Sequence, residues 1–241
     1  ILGTDAERSA SFLYPGGLVG VHAESRSRSG IWQALKTREV YGTSGPRILL
    51  WFDLRNGPDG VAPMGSEVEL SEAPRFEVRA VGDFVQQPGC PSWAREGLEP
   101  ERMGRLCRDE CYHPGDARHP IVAIEVVRIH PQPSAGKPAR ERIEDPWRRF
   151  DCAPDPQGCV VRFEDPDFPV AGRDALYYAR ALQEPTPAIN GDPLSPERDA
   201  DGRTLRTRPC LGPGTEDGCP ALVQERAWSS PIFVDVPGRA R

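Results

Sequence analysis

Two residues near the start of the chain combine types that could perform chemistry. His22 and Glu24 follow the apolar run 18–21, and the end of a strand is where α/β folds place their sites. An imidazole and a carboxylate so spaced could act as an acid–base pair or contribute to a metal site. The alternative is structural, because one His and one Glu are too few to hold a metal ion.

A second candidate segment, residues 43–47 (TSGPR), offers hydroxyl groups, backbone N–H groups and a guanidinium. Thr43, Ser44 and Arg47 could together bind a phosphate group of a substrate. A turn that uses Gly for its φ angle and Ser or Thr for local hydrogen bonds is the competing interpretation. Of the three, Arg47 is the preferred candidate for binding an anion. His113, His119 and His130 lie among prolines without the spacing of ligands, which favours loop positions.

Seven cysteines indicate the compartment. Two pairs lie across loops rich in Pro and Gly, where a disulfide can stabilise a connection with little core of its own. The cysteines expected in disulfides are Cys107, Cys111, Cys152, Cys159, Cys210 and Cys219. Zinc is the alternative, although the last two pairs lack the usual ligand spacing. Cys90 is left unpaired, or pairs with Cys107, with Cys111 or with a cysteine upstream. Disulfides predict a periplasmic or secreted protein.

The first fifty residues have the pattern of the end of an α/β domain. A strand over 18–21, a helix over 25–38 and a strand over 48–54 follow one another. In the helix, Ile31, Trp32 and Leu35 form an apolar stripe that another layer should bury. If the two strands are parallel neighbours, the crossover between them is right-handed. Because one such unit cannot close a core and the chain begins with Ile1, we expect the C-terminal piece of a larger protein.

Beyond residue 56 the apolar residues alternate as they do in half-buried strands. The expected strands cover 67–70, 76–81, 121–129, 150–152, 159–163, 175–182 and 230–236. Such short strands between turn-rich loops predict an antiparallel β-sandwich. The fold class is therefore α+β, with a terminal strand–helix–strand remnant (1–56) followed by a β-sandwich domain (57–241). Its longest loops, 86–120 and 184–226, contain cysteines and are expected to be held by disulfides.

Composition argues against two classes of partner. The net charge is −6, with acidic and basic residues interspersed, so nucleic-acid binding, which needs clustered cations, is not expected. No run of eighteen apolar residues occurs, so we expect no membrane span.

Several phrases resemble a bacterial family of domains of unknown function, DUF3604. Residues 14–18 (YPGGL), followed by 38–48 (REVYGTSGPRI), resemble the end of one of its domains. Residues 181–191 (ALQEPTPAING) and 225–232 (ERAWSSPI) resemble two further signatures, in the order of the family. Cys210 and Cys219 fall where the family carries a cysteine pair. One departure is residues 23–27 (AESRS), where the family commonly has AEENT.

The resemblance implies a relative of PHP-type phosphoesterases. Their distorted α/β barrel holds divalent metal ions with His, Asp and Glu at strand ends, and the metals activate water for attack on a phosphoester. The motifs of those ligands would precede Ile1, so no metal site or cofactor is expected in this chain. Zn, Mn or Fe is expected in the full-length protein, with a small-molecule substrate. The strand–helix–strand unit would then be the last unit of a PHP-like barrel.

Two functions follow as hypotheses. In the first, the chain is the C-terminal part of an exported metal-dependent hydrolase of phosphoesters and is inactive alone. In the second, it is a disulfide-stapled β-sandwich without catalysis that binds a carbohydrate or a protein. The second hypothesis is motivated by the cysteine-bearing loops.

Overall fold

The computed structural model describes residues 16–107, 111–132, 138–188, 196–207 and 221–238. These residues are mostly β-structure with a few short helices. The strands are β1 (Leu18–Val21), β2 (Val40–Thr43), β3 (Leu49–Gly57), β4 (Gly60–Pro63), β5 (Glu67–Glu69), β6 (Arg75–Val81), β7 (Phe84–Pro88), β8 (Tyr112–Arg118), β9 (Ile121–Ile129), β10 (Ile143–Asp151), β11 (Cys159–Glu164), β12 (Ala175–Ala188), β13 (Pro196–Arg198), β14 (Thr204–Thr207), β15 (Ala221–Ser229) and β16 (Ile232–Asp235). The helices are α1 (Arg28–Thr37), α2 (Ser92–Gly97), α3 (Pro100–Cys107) and α4 (Phe168–Ala171), with a 3-10 helix at Ala139–Arg142.

The larger sheet is built around β12, the longest strand. One side of β12 pairs with β9, which in turn pairs with β10. The other side pairs first with β16 and then with β15, so two strands share that edge. The sheet continues from β15 through β2 to β1, and from β16 to β5. All of these pairings are antiparallel except the one between β16 and β5.

The smaller sheet, in the order β11-β6-β3-β4, packs its inner face against the larger one. Strict alternation buries Leu50, Phe52 and Leu54 of β3 and leaves the residues between them half-exposed. The ring of Phe76 on β6 lies 4.7 Å from the ring of Tyr177 on β12 and joins the two sheets. Aromatic pairs at this separation add stability beyond the area that they bury. Mostly antiparallel sheets around one such core are consistent with the predicted β-sandwich.

The strands on either side of α1 are not parallel neighbours. Strand β1 pairs antiparallel with β2, a strand that the sequence pattern did not predict, with Leu18 opposite Thr43. Helix α1 begins after Ser27, whose hydroxyl accepts a hydrogen bond from Gly30 N, and ends at Arg38 in a left-handed conformation. The predicted second strand, β3, belongs to the smaller sheet. The strands β1 and β3 are therefore not the parallel neighbours that a right-handed crossover would require, because they belong to different sheets.

Several other strands lie where they were predicted, and β9 has the predicted bounds. The predicted long loops contain regular structure, since residues 84–118 include the paired strands β7 and β8 and the helices α2 and α3. Strand β15 likewise occupies part of the predicted loop 184–226. The boundary at residue 56 stays a prediction, and β3 runs across that position.

One predicted disulfide is confirmed. Cys152 and Cys159 are bonded, with Cα atoms 5.9 Å apart, and they join the end of β10 to the start of β11. Cys111 is also disulfide-bonded, as predicted. Cys90 is disulfide-bonded as well, so the expectation that it is left unpaired is wrong. The predictions for Cys210 and Cys219 lie outside the described residues, as does the side chain of Cys107.

None of the helices in the described ranges has the length and apolar character needed to cross a bilayer.

Candidate functional site

His22 lies just after β1 and is fixed by the backbone of β3. Its Nε2 is 2.8 Å from the carbonyl oxygen of Leu50, and because a carbonyl only accepts, Nε2 carries the hydrogen and Nδ1 is left as an acceptor. The imidazole ring lies 5.3 Å from the ring of Tyr41 and 5.7 Å from that of Trp51. Gly20 makes this packing possible, because a Cβ there would lie 2.1 Å from Cζ of Tyr41.

The neighbouring outer side of the smaller sheet carries two cross-strand pairs, Trp51 opposite Arg79 and Asp53 opposite Glu77. We call these four residues the outer polar face. The guanidinium carbon of Arg79 lies 3.8 Å from the centroid of the Trp51 ring, which is a close cation–π contact. Burial is the largest cause that raises the pKa of the Asp53 carboxyl above its ordinary value, and the nearby Glu77 raises it further.

Glu24 is exposed, and the structure shows no contact between it and His22. The imidazole is oriented by Leu50 instead, and its neighbours are aromatic. Their function as an acid–base pair therefore stays a prediction. Asp53 is the carboxylate on which His22 acts, because the imidazole contributes a lowering of the Asp53 pKa. This proximity could not be predicted from the sequence, since Asp53 is 31 positions away and belongs to the other sheet.

The segment around Thr43 and Ser44 ties β2 to β15. Thr43 is buried, and its Oγ1 accepts a hydrogen bond of 3.3 Å from Gly45 N. Ser44 exchanges backbone and side-chain hydrogen bonds with Arg226, and its hydroxyl also donates to the carboxylate of Glu225. Gly45 has a φ of +142°, as the competing turn interpretation requires.

Arg47 is exposed beside this turn. Its role in binding an anion stays a prediction, because the hydroxyls of Thr43 and Ser44 are directed to the backbone and to Glu225. In the part of the chain that the structure describes, no three His, Cys, Asp or Glu side chains lie together in a way that could hold a metal ion.

A second polar constellation, which sequence reasoning missed, lies between the sheets. Arg128 of β9 donates two hydrogen bonds of 2.9 Å to the carboxylate of Glu144 and one of 2.8 Å to Asp165. Tyr177 donates a hydrogen bond of 2.7 Å to the same oxygen of Asp165. We call these four residues the internal ionic cluster. The indole ring of Trp147 covers the guanidinium at 4.5 Å.

Electrostatics within this cluster follow from burial and pairing. Burial alone would lower the pKa of Arg128, but the bonds to Glu144 and Asp165 outweigh it and hold that pKa above its ordinary value. For Tyr177, burial and then the Asp165 carboxylate raise the pKa of the phenol well above its ordinary value. Arg128 therefore stays charged and Tyr177 neutral at physiological pH, which suits a structural link between the sheets.

His130 borders the cluster. It lies in the loop after β9, as predicted, but it is buried rather than at the surface. Its Nδ1 donates to the carbonyl of Asp174 at 3.1 Å. Its Nε2 is buried with no hydrogen-bond partner among the described atoms and lies 3.7 Å from the Glu144 carboxylate. Burial, the largest cause, lowers the pKa of His130, and the nearby cations Arg173 and Arg128 lower it further.

The apolar stripe of α1, formed by Ile31, Trp32 and Leu35, is exposed. Trp32 is 66% accessible and Leu35 is 45% accessible, whereas Ala34 is buried. The expectation that another layer buries the stripe is thus not met by the described residues. Strand β1, which contacts α1, also exposes Val19 at the edge of the larger sheet.

Comparison with known families gives one match. A sequence profile described as "Protein of unknown function (DUF3604)" matches residues 3–88 and 157–236. These ranges contain β1 to β7 and β11 to β16. No curated protein and no solved structure matches the chain.

Proposed function

This chain belongs to the DUF3604 family, and on that premise we propose that it is the C-terminal part of a metal-dependent hydrolase of phosphoesters. In this proposal the β-sandwich is not itself catalytic, and its α1–β1 side docks against an α/β domain of the PHP type. That domain supplies the His, Asp and Glu ligands and the Zn, Mn or Fe ions. The metal would activate a water molecule for attack on the phosphoester.

The observation that carries the proposal is the exposed stripe of α1. An amphipathic helix normally turns its apolar side to another layer of the protein. Here Ile31, Trp32 and Leu35 are 39%, 66% and 45% exposed. Leu18 and Val19 of β1 are exposed beside them, on a strand whose one partner among the described residues is β2. A docked apolar domain would remove these side chains from water.

The contacts of His22, Thr43 and Ser44 support a structural role for this chain rather than a catalytic one. The Nε2–H of His22 is directed to a backbone carbonyl, and the hydroxyls of Thr43 and Ser44 hold a turn against β15. Side chains fixed in this way maintain the fold. The hydrolytic groups of the proposal therefore belong to the docked domain.

Export is part of the proposal and is supported by the cysteines. Cys152–Cys159 is a disulfide, and Cys90 and Cys111 are disulfide-bonded too. Disulfides form and persist in oxidising compartments. We therefore propose a periplasmic or secreted location.

The test compares two proteins, residues 1–241 and the complete product of the gene. Both are purified, their bound metals are measured by mass spectrometry, and hydrolysis of bis(p-nitrophenyl) phosphate is followed. We expect metal and hydrolysis in the complete product and neither in residues 1–241. Equal activity of the two proteins would refute the proposal.

A pair of variants of the complete product tests the docking side separately. Trp32→Asp should weaken the association of the two domains, seen as earlier melting of one of them and lower activity. Trp93→Asp is the matched control, because Trp93 on α2 is also exposed, at 74%. Similar effects of the two substitutions would show that α1 is not the docking side.

A second candidate function is a binding module without hydrolysis. It is favoured by the segment 84–118, which contains the disulfide-bonded Cys90 and Cys111. In this segment Trp93, Leu106 and Tyr112 are exposed. Most of this segment lies outside the ranges that match the family. Aromatic side chains of this kind are enriched where proteins bind partners. If the complete product lacks both metal and hydrolysis, this candidate replaces the first.

A further inference from the structure

The outer polar face combines a fixed donor with a carboxylate that has no partner among the described residues. The guanidinium of Arg79 lies over the Trp51 ring, and this contact holds its planar set of N–H donors in place. Among the described residues, no hydrogen bond or ion pair to these N–H groups is formed. The stacking restricts the side chain before any ligand arrives, so little conformational entropy is lost on binding.

Asp53 is the acceptor beside this donor. It is half-buried and makes no hydrogen bond or ion pair within the described part of the chain. Its pKa is raised chiefly by burial, which means that the carboxylate lacks the solvation it would have in water. A ligand hydroxyl that donates to it would restore that lost interaction.

The spacing leaves room for a ligand between the two groups. Trp51 pairs with Arg79 and Asp53 pairs with Glu77, so Asp53 and Arg79 are diagonal neighbours on adjacent strands. Diagonal positions are about 7–8 Å apart, within reach of long side chains. Asp53 and Arg79 form no direct ion pair. Of two hydroxyl groups on neighbouring carbons of a ligand, one can accept a hydrogen bond from Arg79 while the other donates one to Asp53.

The surrounding charges select a neutral ligand. Glu77 is already paired with Arg162 at 2.6 Å, whereas Arg55 and Arg79 both act on Asp53. A ligand ammonium would face these two guanidinium groups, and a phosphate would face the carboxylates of Asp53 and Glu77. A neutral polyol has no such conflict, and Nδ1 of His22, near Trp51, is a further acceptor.

We propose that the outer polar face binds a neutral saccharide, with a vicinal diol bridging the carboxylate of Asp53 and the guanidinium of Arg79. Trp51 holds Arg79 in place through the cation–π contact. The proposal does not rest on hydrolysis by the complete protein. A saccharide site on the sandwich would bring a carbohydrate-bearing surface or substrate to the molecule.

The experiment titrates the purified chain with glucose, galactose, mannose and their disaccharides while the indole signal of Trp51 is followed by NMR. At least one saccharide should shift that signal saturably. Asp53→Asn and Arg79→Gln should each weaken binding about tenfold or more, because each removes a hydrogen bond to a charged group. Unchanged melting temperatures of the variants would verify that they fold.

Arg75→Gln is the matched control, since Arg75 is exposed on the same strand but lies opposite Glu164 at its far end. It should bind the saccharide like the wild type. Glycine and inorganic phosphate are titrated as competing ligand classes. The proposal is overturned if no saccharide shifts the Trp51 signal, if both site variants bind normally, or if glycine or phosphate binds in place of sugars.

Discussion

The space between the sheets and the side of α1 reverse the usual distribution of polar and apolar groups. The interior holds the charges of Arg128 and Asp165, which are hydrogen-bonded to each other, and the half-exposed Glu144 at its edge also pairs with Arg128. The helix surface shows Trp32 and its apolar neighbours to solvent. Buried charges persist only when paired, because desolvation is expensive. Exposed apolar side chains cost less, and a partner that covers them would recover that cost, so the interior is constrained by folding and the helix surface is suited to an interaction.

Removing one member of the internal ionic cluster should cause the largest loss of stability. Asp165→Ala takes the partner from Arg128 and from Tyr177 at a site with no solvent exposure. We expect a loss of about 3–5 kcal/mol, the usual cost of breaking a buried pair. Urea unfolding measures it. The control is Asp151→Ala, whose exposed pair with Arg149 should be worth less than about 1 kcal/mol.

If Asp165→Ala and Asp151→Ala lower the free energy of unfolding equally, the cluster is not a buried link. The internal charges would then contribute no more to stability than an ion pair at the surface. A loss confined to Asp165→Ala would show that polar contacts between the sheets are part of what holds them together.

Removing the disulfide between Cys152 and Cys159 should cause the second-largest loss of stability. It closes a short loop between β10 and β11 beside the core, and Cys159 is buried. The double variant Cys152→Ala/Cys159→Ala should lose about 2–3 kcal/mol, mainly because its unfolded chain is less constrained. The midpoint of urea unfolding reports this loss. An unchanged midpoint would mean that the strand pairing alone fixes this connection.

The third prediction concerns pH and uses His130 at the border of the cluster. Its pKa in the folded protein is lowered by burial, so between that value and about 6.5 the unfolded chain binds more protons than the folded one. Stability should therefore decrease as pH falls below about 6.5 and level off below the folded pKa. In His130→Asn the decrease between pH 7.5 and 5.5 should be smaller.

The change in stability with pH, rather than its absolute value, is the quantity to compare, because the substitution also alters packing. Parallel pH profiles of wild type and His130→Asn would contradict the prediction. They would mean that the unpartnered Nε2 beside Glu144 gains a compensating contact on protonation.

Local patterns in the sequence predicted the parts of the fold that depend on neighbouring residues. The run of β-branched residues in β9 predicted its bounds, and α1 lies within the helix predicted over residues 25–38. The antiparallel pairing of β1 with β2 was not predicted, because partner choice depends on distant contacts. In β15, Gln224 and its charged neighbours resemble a loop, although the strand pairs on both sides.

The sites were harder to predict than the strands, for a related reason. Arg128 in an apolar strand has the pattern of a residue that faces solvent, and its hydrogen-bonding partners come from β10 and from the loop after β11. The diagonal placement of Asp53 and Arg79 follows from the register between β3 and β6, which the sequence does not specify. His22 was selected from the sequence, but its aromatic neighbours Tyr41 and Trp51 became apparent only in the folded structure.

The smallest effect is expected on the helix surface, where Trp32→Gln should change the free energy of unfolding of the chain by no more than about 0.5 kcal/mol. Trp147→Gln is the matched substitution inside the molecule, since Trp147 packs against the core and lies over Arg128. It should cost several times more in urea unfolding. Because Trp32 is two-thirds exposed, its removal should instead reduce binding of an apolar dye. Comparable losses from the two substitutions would mean that Trp32 is packed against the folded chain and is not available to a partner.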